Sequence, residues 1–146
     1  MNKLWALLIP FWKLPLLLLS PLHMQAQGPA VMHSIVMQLT SSEPEVHKAL
    51  FNQLQALKER WADSVKVEVV VHGPGIEILL KEKTPWHPTI QNLRAQGVVF
   101  LACENTLKQK KIPREALVGD IGFIPFGLVY IVQKQEQGWS YLKAGF

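Results

Sequence analysis

The chain has a single cysteine, Cys103, which follows the apolar run Val98–Ala102 and precedes Asn105 and Thr106. A thiol between a buried strand and a helix start meets backbone N–H groups that have no partner inside the helix, and also the positive end of the helix dipole. Both favour thiolate over thiol, and the thiolate is the nucleophilic form. Such a position suits nucleophilic sulfur chemistry. Glu104 opposes it, since a neighbouring carboxylate disfavours a second negative charge. One cysteine cannot form an internal disulfide, which leaves three fates for Cys103: a buried structural thiol, an intermolecular bridge, or a reactive free thiol.

A second candidate is the turn His72-Gly73-Pro74-Gly75 after the β-branched run Val65–Val71. It resembles half of a dinucleotide-binding fingerprint, but Ile78 stands where the third glycine belongs and Pro74 removes an N–H that could face phosphate. Gly73 and Gly75 are better explained by a tight turn, with His72 lining a crevice and available to a ligand. His33, His47, His72 and His87 lack the spacing of a helical metal pair, so no metal site or cofactor is expected. The chain contains neither a Gly-x-Ser-x-Gly elbow nor a phosphate-binding loop, which removes the usual hydrolase and nucleotidase functions. Lys108, Lys110, Lys111 and Arg114 form a basic cluster, either a solvated helix end or an attractor for an anionic sulfur species or acidic partner. Lys3 and Lys13 supply two of the four net positive charges, so nothing calls for nucleic acid.

The elements that must position these residues alternate strand and helix. Val31–Leu39 reads as a strand, and Ser42-Glu43-Pro44-Glu45 has capping-box spacing ahead of a helix whose Val46, Leu50, Leu54, Leu57 and Trp61 form one apolar stripe. Val65–Val71 is a strand and Ile76–Leu80 a short apolar helix; Pro88 opens a further helix through Ile90 and Leu93 that stops at Gly97. Val98–Ala102 has the continuous apolar pattern of a strand covered on both faces, and Asn105 and Thr106 start a short helix closed by lysines. Val118–Ile124 as strand, Phe126–Gln137 as helix and Trp139–Leu142 as strand complete the chain. The aromatics Phe126, Tyr130, Trp139, Tyr141 and Phe146 are expected mostly in the core, with an oligomer interface as the alternative. This alternation predicts an α/β fold, a mostly parallel sheet of about five strands in three α/β/α layers. Ligands gather beyond the carboxyl ends of the strands of such a sheet, where the turns after Val71 and Ala102 both lie.

The first 26 residues are set apart from residues 27–146. A basic start at Lys3, an apolar stretch to Leu22 and the small residue Ala26 describe a cleaved signal peptide and a periplasmic or secreted protein. The alternative is an uncleaved membrane anchor, although Pro10, Pro15 and Pro21 break its continuity.

Val71–Gly75, Gly97–Leu107 with Cys-x-Asn-Thr at its centre, and Gln135–Tyr141 together resemble the DsrE/DsrF-like family, in its YchN-like branch. The resemblance implies a three-layer fold and a homo-oligomer, trimer or hexamer. It also implies a role in which Cys103 relays sulfur as a persulfide between donor and acceptor proteins. Asn105 and Thr106 would then cap and orient the turn, with His72 as proton donor or anion contact. Two positions depart from the family's usual pattern: Glu104, where glycine is frequent, and Phe126, where a small polar residue is expected.

Overall fold

Two seven-residue runs form adjacent inner strands, the largely apolar β1 (His33–Leu39) and the valine-rich β2 (Val65–Val71), which pair in parallel from His33↔Val65 to Leu39↔Val71. In this computed structural model, which describes residues 31–145, β3 (Val98–Cys103), β4 (Gly122–Ile124) and β5 (Ser140–Lys143) complete an all-parallel sheet of order β4-β3-β2-β1-β5. The proposed leader, residues 1–26, lies outside the described residues. No helix among those described is long and apolar enough to cross a membrane.

The connections are α1 (Pro44–Trp61), α2 (His87–Ala95), α3 (Glu104–Lys110) and α4 (Gly127–Glu136). The two faces of the sheet are covered unequally. Ile35, Met37, Leu39, Val67, Val69, Val71, Phe100 and Ala102 join Leu50 and Leu54 of α1, Ile90 and Leu93 of α2 and Leu107 of α3 in one large core. On the other face Val36, Val70, Leu101 and Ile124 form a small cluster whose one fully buried helical contribution is Ile131 of α4. The expected layers are present, with the second a single helix thick.

Several boundaries differ from the sequence expectation. The proposed capping box does not form: Pro44 occupies the first helical position, Glu43 is the N-cap residue, and its carbonyl receives the N–H groups of Val46 and His47 while Ser41 Oγ accepts its own N–H. The segment after β2 is a run of 3₁₀ turns, Gly73–Leu79. The strand expected from Val118 starts only at Gly122, because the Val118 N–H is taken by the Leu79 carbonyl, Leu80 and Leu117 form an antiparallel bridge, and Asp120 sits at φ +56°. The C-terminal aromatics do not enter the core: Tyr130 and Trp139 are half-buried beside the small cluster, Phe126 and Tyr141 are exposed, and Phe146 lies outside the described residues.

Gly75 marks the tightest backbone approach in the turn. A methyl group there would lie 2.7 Å from the Leu39 carbonyl oxygen, whereas one on Gly122 would meet only the end of the Leu101 side chain. Gly75→Ala is therefore expected to lower unfolding free energy by about 1–3 kcal/mol, the usual cost of overpacking, and Gly122→Ala by clearly less. Urea denaturation of the two variants checks the order, and equal losses would show that the Leu39–Gly75 contact gives way as easily as a side chain.

Candidate functional site

Parallel pairing sets the strand ends level: Leu39 lies opposite Val71, Val71 opposite Ala102, and Cys103 opposite Ile124. The residues leaving β2 and β3, His72 and Cys103, therefore emerge at one edge of the sheet, with side-chain alternation turning them toward the α4 face. Together with Gly73, Asn105, Thr106, Gln109 and the first residues of α4 they line a crevice of about 350 Å³. Gly75 does not line it and acts through the turn. Gln109 was not foreseen, because its place depends on where α3 begins.

Cys103 is itself the N-cap residue of α3, which begins at Glu104, one position before the expected start at Asn105, and it is 4% exposed. Its sulfur accepts the Gly127 N–H at 3.3 Å and lies 3.8 Å from the Pro125 carbonyl. That contact brings the N-terminus of α4 onto the thiol. Asn105 does not cap the helix with its side chain; its N–H donates to the Pro125 carbonyl at 3.1 Å, tying α3 to the segment that delivers Gly127. Thr106 Oγ1 accepts the Gly73 N–H at 3.0 Å, which joins the two turns. The Thr106 hydroxyl hydrogen remains for the sulfur.

Burial alone would push the Cys103 thiol up. The backbone N–H groups of Thr106 and Gly127, the Thr106 hydroxyl and the Asn105 N–H outweigh it, and the thiol sits below its ordinary value. Glu104 does not count against this, because its carboxylate is paired with Arg114, which also lies 4.4 Å over the Phe123 ring. Arg114 is thus committed locally, and no lysine of the basic cluster lines the crevice. His72 is bonded through Nε2 to the Gln38 side-chain amide at 2.8 Å, and its burial lowers its pKa. Among the described residues no group of three His, Cys, Asp or Glu side chains converges on a point.

One partly buried polar arrangement was not apparent in the sequence. Glu68 of β2 accepts from the Tyr130 hydroxyl at 2.6 Å and from Lys134 Nζ at 2.8 Å, and Lys134 also lies 4.0 Å from the Trp139 ring. It pegs α4 to the sheet and so fixes where Gly127 reaches Cys103.

The hydroxyl of Thr106 has two tasks, and removing it separates them. In Thr106→Val, the Gly73 N–H loses its acceptor at a cost of about 1–3 kcal/mol, and the pH at which Cys103 of the folded protein reaches half-maximal alkylation moves upward. Because the folded pKa is depressed, the thiolate's contribution to stability exists above the unfolded thiol pKa and is lost as pH falls through the folded one. A pH–rate profile with iodoacetamide checks this, and an unmoved profile would remove Thr106 from the thiolate's support.

No functionally curated protein matches the sequence. Solved structures do. A protein of unknown function from Methanobacterium thermoautotrophicum, MTH1491, superposes with a TM-score of 0.67 at 25% identity, covering 76% of this chain and 98% of the other. BT1422 of Bacteroides thetaiotaomicron, also of unknown function, gives 0.61 at 13% identity over 75% and 93%, and the ychN protein of E. coli 0.56 at 19% identity over 77% and 98%. These last two share the fold. The sequence model of the DsrE/DsrF-like family matches residues 34–144, nearly all of the described chain, and on that match the chain belongs to the DsrE/DsrF-like family.

Proposed function

We propose that the chain is an exported sulfur carrier in which Cys103 takes up sulfane sulfur, holds it as a persulfide and passes it to the thiol of a partner. Membership of a family associated with sulfur relay supports this. The observation that carries it is the set of neutral hydrogen donors, led by the N–H groups of Thr106 and Gly127, around one thiol in a crevice without a carboxylate. In the loading step the Cys103 thiolate attacks the outer sulfur of a donor persulfide, R–S–SH. The new bond joins Cys103 Sγ to that sulfur, the donor's S–S bond breaks, and R–S⁻ departs with the electron pair and takes a proton from water. An acceptor thiolate then attacks the same outer sulfur and releases Cys103 as thiolate. Neither step needs a cofactor or external oxidant.

The 4% exposure of Cys103 favours a different function, a non-catalytic module that binds a small ligand in the crevice and uses the thiol as a structural cap. Reactivity in the folded state separates the two.

The carrier is also proposed to assemble as a trimer or hexamer. Leu128, Val129 and Val132 form an outward stripe on α4, each more than half exposed, beside the equally exposed Phe126. A contiguous apolar helix face of this kind suits burial against another copy. Phe126, Leu128 and Val129 also line the crevice, so a neighbouring copy would wall in the thiol.

Intact mass of the folded protein before and after a sulfane-sulfur donor tests the carrier. The expected result is a gain of one or more sulfur atoms that dithiothreitol reverses and Cys103→Ser lacks. Protein recovered from the exported fraction should have a mass that starts the chain near Gln27. No gain, with a thiol inert to alkylation until unfolding, would leave the binding module. Val132→Lys, outside the crevice, is expected to weaken assembly by tenfold or more, since a central apolar contact commonly contributes over about 1 kcal/mol. Sedimentation equilibrium reads this, and a monomeric wild type would end the assembly proposal.

A further inference from the structure

A hydrogen-bonded chain reaches the crevice along the α4 face from the edge strand β5. The Tyr141 hydroxyl of β5 donates to Gln38 Oε1 of β1, and the Gln38 amide is then left to donate through Nε2 to His72 Nε2 at 2.8 Å. An amide nitrogen has hydrogens and no acceptor capacity, so the imidazole nitrogen facing it must be the unprotonated one. The ring proton of neutral His72 is thereby assigned to Nδ1. Another edge of the ring is packed, since a methyl on Gly127 would lie 3.2 Å from His72 Cδ2. Nδ1 has no hydrogen-bond partner among the described residues, and His72 is one of the residues that line the crevice.

We propose that Gln38 and Tyr141 are positioning residues that hold His72 as a neutral imidazole with its proton on Nδ1, and that this N–H donates to the outer sulfur while Cys103 takes it up. The inference rests on the carrier function above. The groups that line the crevice around His72 include no lysine, arginine or carboxylate: Thr106 lies beyond Gly73, Gly127 and Phe126 come from α4, and Cys103 is the titratable neighbour across it, while Tyr141 and Lys143 of β5 lie behind Gln38 of β1. Protonation at Nε2 would set two donors against each other at 2.8 Å, and burial of the ring disfavours the cation as well. An uncharged donor suits a step in which negative charge passes from one sulfur to another. A fixed imidazolium would instead hold the persulfide anion and slow its release to the acceptor.

The test uses the full chain labelled with ¹⁵N-histidine, with His72 identified by its loss in His72→Gln. Long-range ¹H–¹⁵N spectra at neutral pH are expected to show the Nδ1–H form in the wild type. In Gln38→Glu, nearly the same shape, the carboxylate accepts from Nε2–H; the tautomer reverses, the His72 titration midpoint rises, and sulfur uptake by Cys103 slows roughly tenfold, the scale of one hydrogen bond. Tyr141→Phe should move the tautomer ratio in the same direction by less. An Nε2–H wild type, or a Gln38→Glu protein with unchanged tautomer, midpoint and uptake, overturns the inference while the carrier stands. An Nδ1–H wild type that takes up no sulfur overturns the carrier, and with it the target assigned to the donor.

Discussion

The crevice depends on one constraint, the level parallel register of β1, β2 and β3. Leu39, Val71 and Ala102 lie in a single row, so the residues that follow them, Thr40, His72 and Cys103, stand at the same height, Cys103 still paired with Ile124 at the end of β3. Registers in a sheet buried on a face are strongly specified, because a slip of one residue would turn Val67, Val69 and Val71 out of the large core. The same alternation that buries those valines turns Glu68, Val70 and His72 to the opposite face, beneath α4. Position and chemistry are therefore coupled: the burial that stabilises β2 also sets the side of the sheet on which His72 meets Cys103.

The opposite face is thin, and its thinness shapes the site. With one helix over it, this face has few apolar contacts, and a polar peg makes up part of the attachment. Glu68, Tyr130 and Lys134 are brought together with both ionic side chains less than a fifth exposed. An ion pair at that depth gains little net free energy, since desolvation offsets much of its attraction, but breaking one side would leave a charge poorly solvated. Its effect is geometric. A helix held at Glu68 and over the Trp139 ring has its N-terminus set against His72 and Cys103, where Gly127 is the residue without a side chain to intervene.

Much of this was legible in the sequence. Apolar runs of five to seven residues, punctuated by Gly73–Gly75, Gly97 and Gly138, are sufficient to order the strands and helices, and a cysteine after Val98–Ala102 had to fall at a carboxyl end. Boundaries set by tertiary partners were not: the backbone of Val118 is drawn to Leu79 and away from β3, and Pro44 displaces the cap that Ser42 and Glu45 suggested. α4 was the hardest element to orient. Ile131 faces inward while Leu128, Val129 and Val132 face outward, so apolar residues occupy both sides and periodicity cannot choose between them. Gln38, Gln109 and Tyr141 gave no signal because each acquires its place through register or packing. Glu104 illustrates the converse, since its carboxylate appears to oppose a thiolate in sequence but is paired with Arg114 in space.

In the proposed carrier, a thiol this buried would depend on how its charge is stabilised. Lysine or arginine beside Cys103 would favour the thiolate in solvent and draw any anion with equal strength. The crevice instead surrounds the sulfur with backbone N–H groups and the Thr106 hydroxyl, whose partial charges act over a short range and only along their bonds. Such donors gain strength where water is scarce, and a neighbouring copy seated on Phe126, Leu128 and Val129 in the proposed assembly would make it scarce. They favour the thiolate more than the persulfide anion, because in the persulfide the charge sits mainly on the outer sulfur, one S–S bond of about 2 Å beyond the donors that hold Sγ. A carrier must not bind its cargo much more tightly than it binds the empty state, or delivery would become slower than loading. In the proposed carrier a second neutral donor, at His72, would meet the outer sulfur and bring the two states closer in free energy, and that balance makes a donor without charge more useful there than one with it.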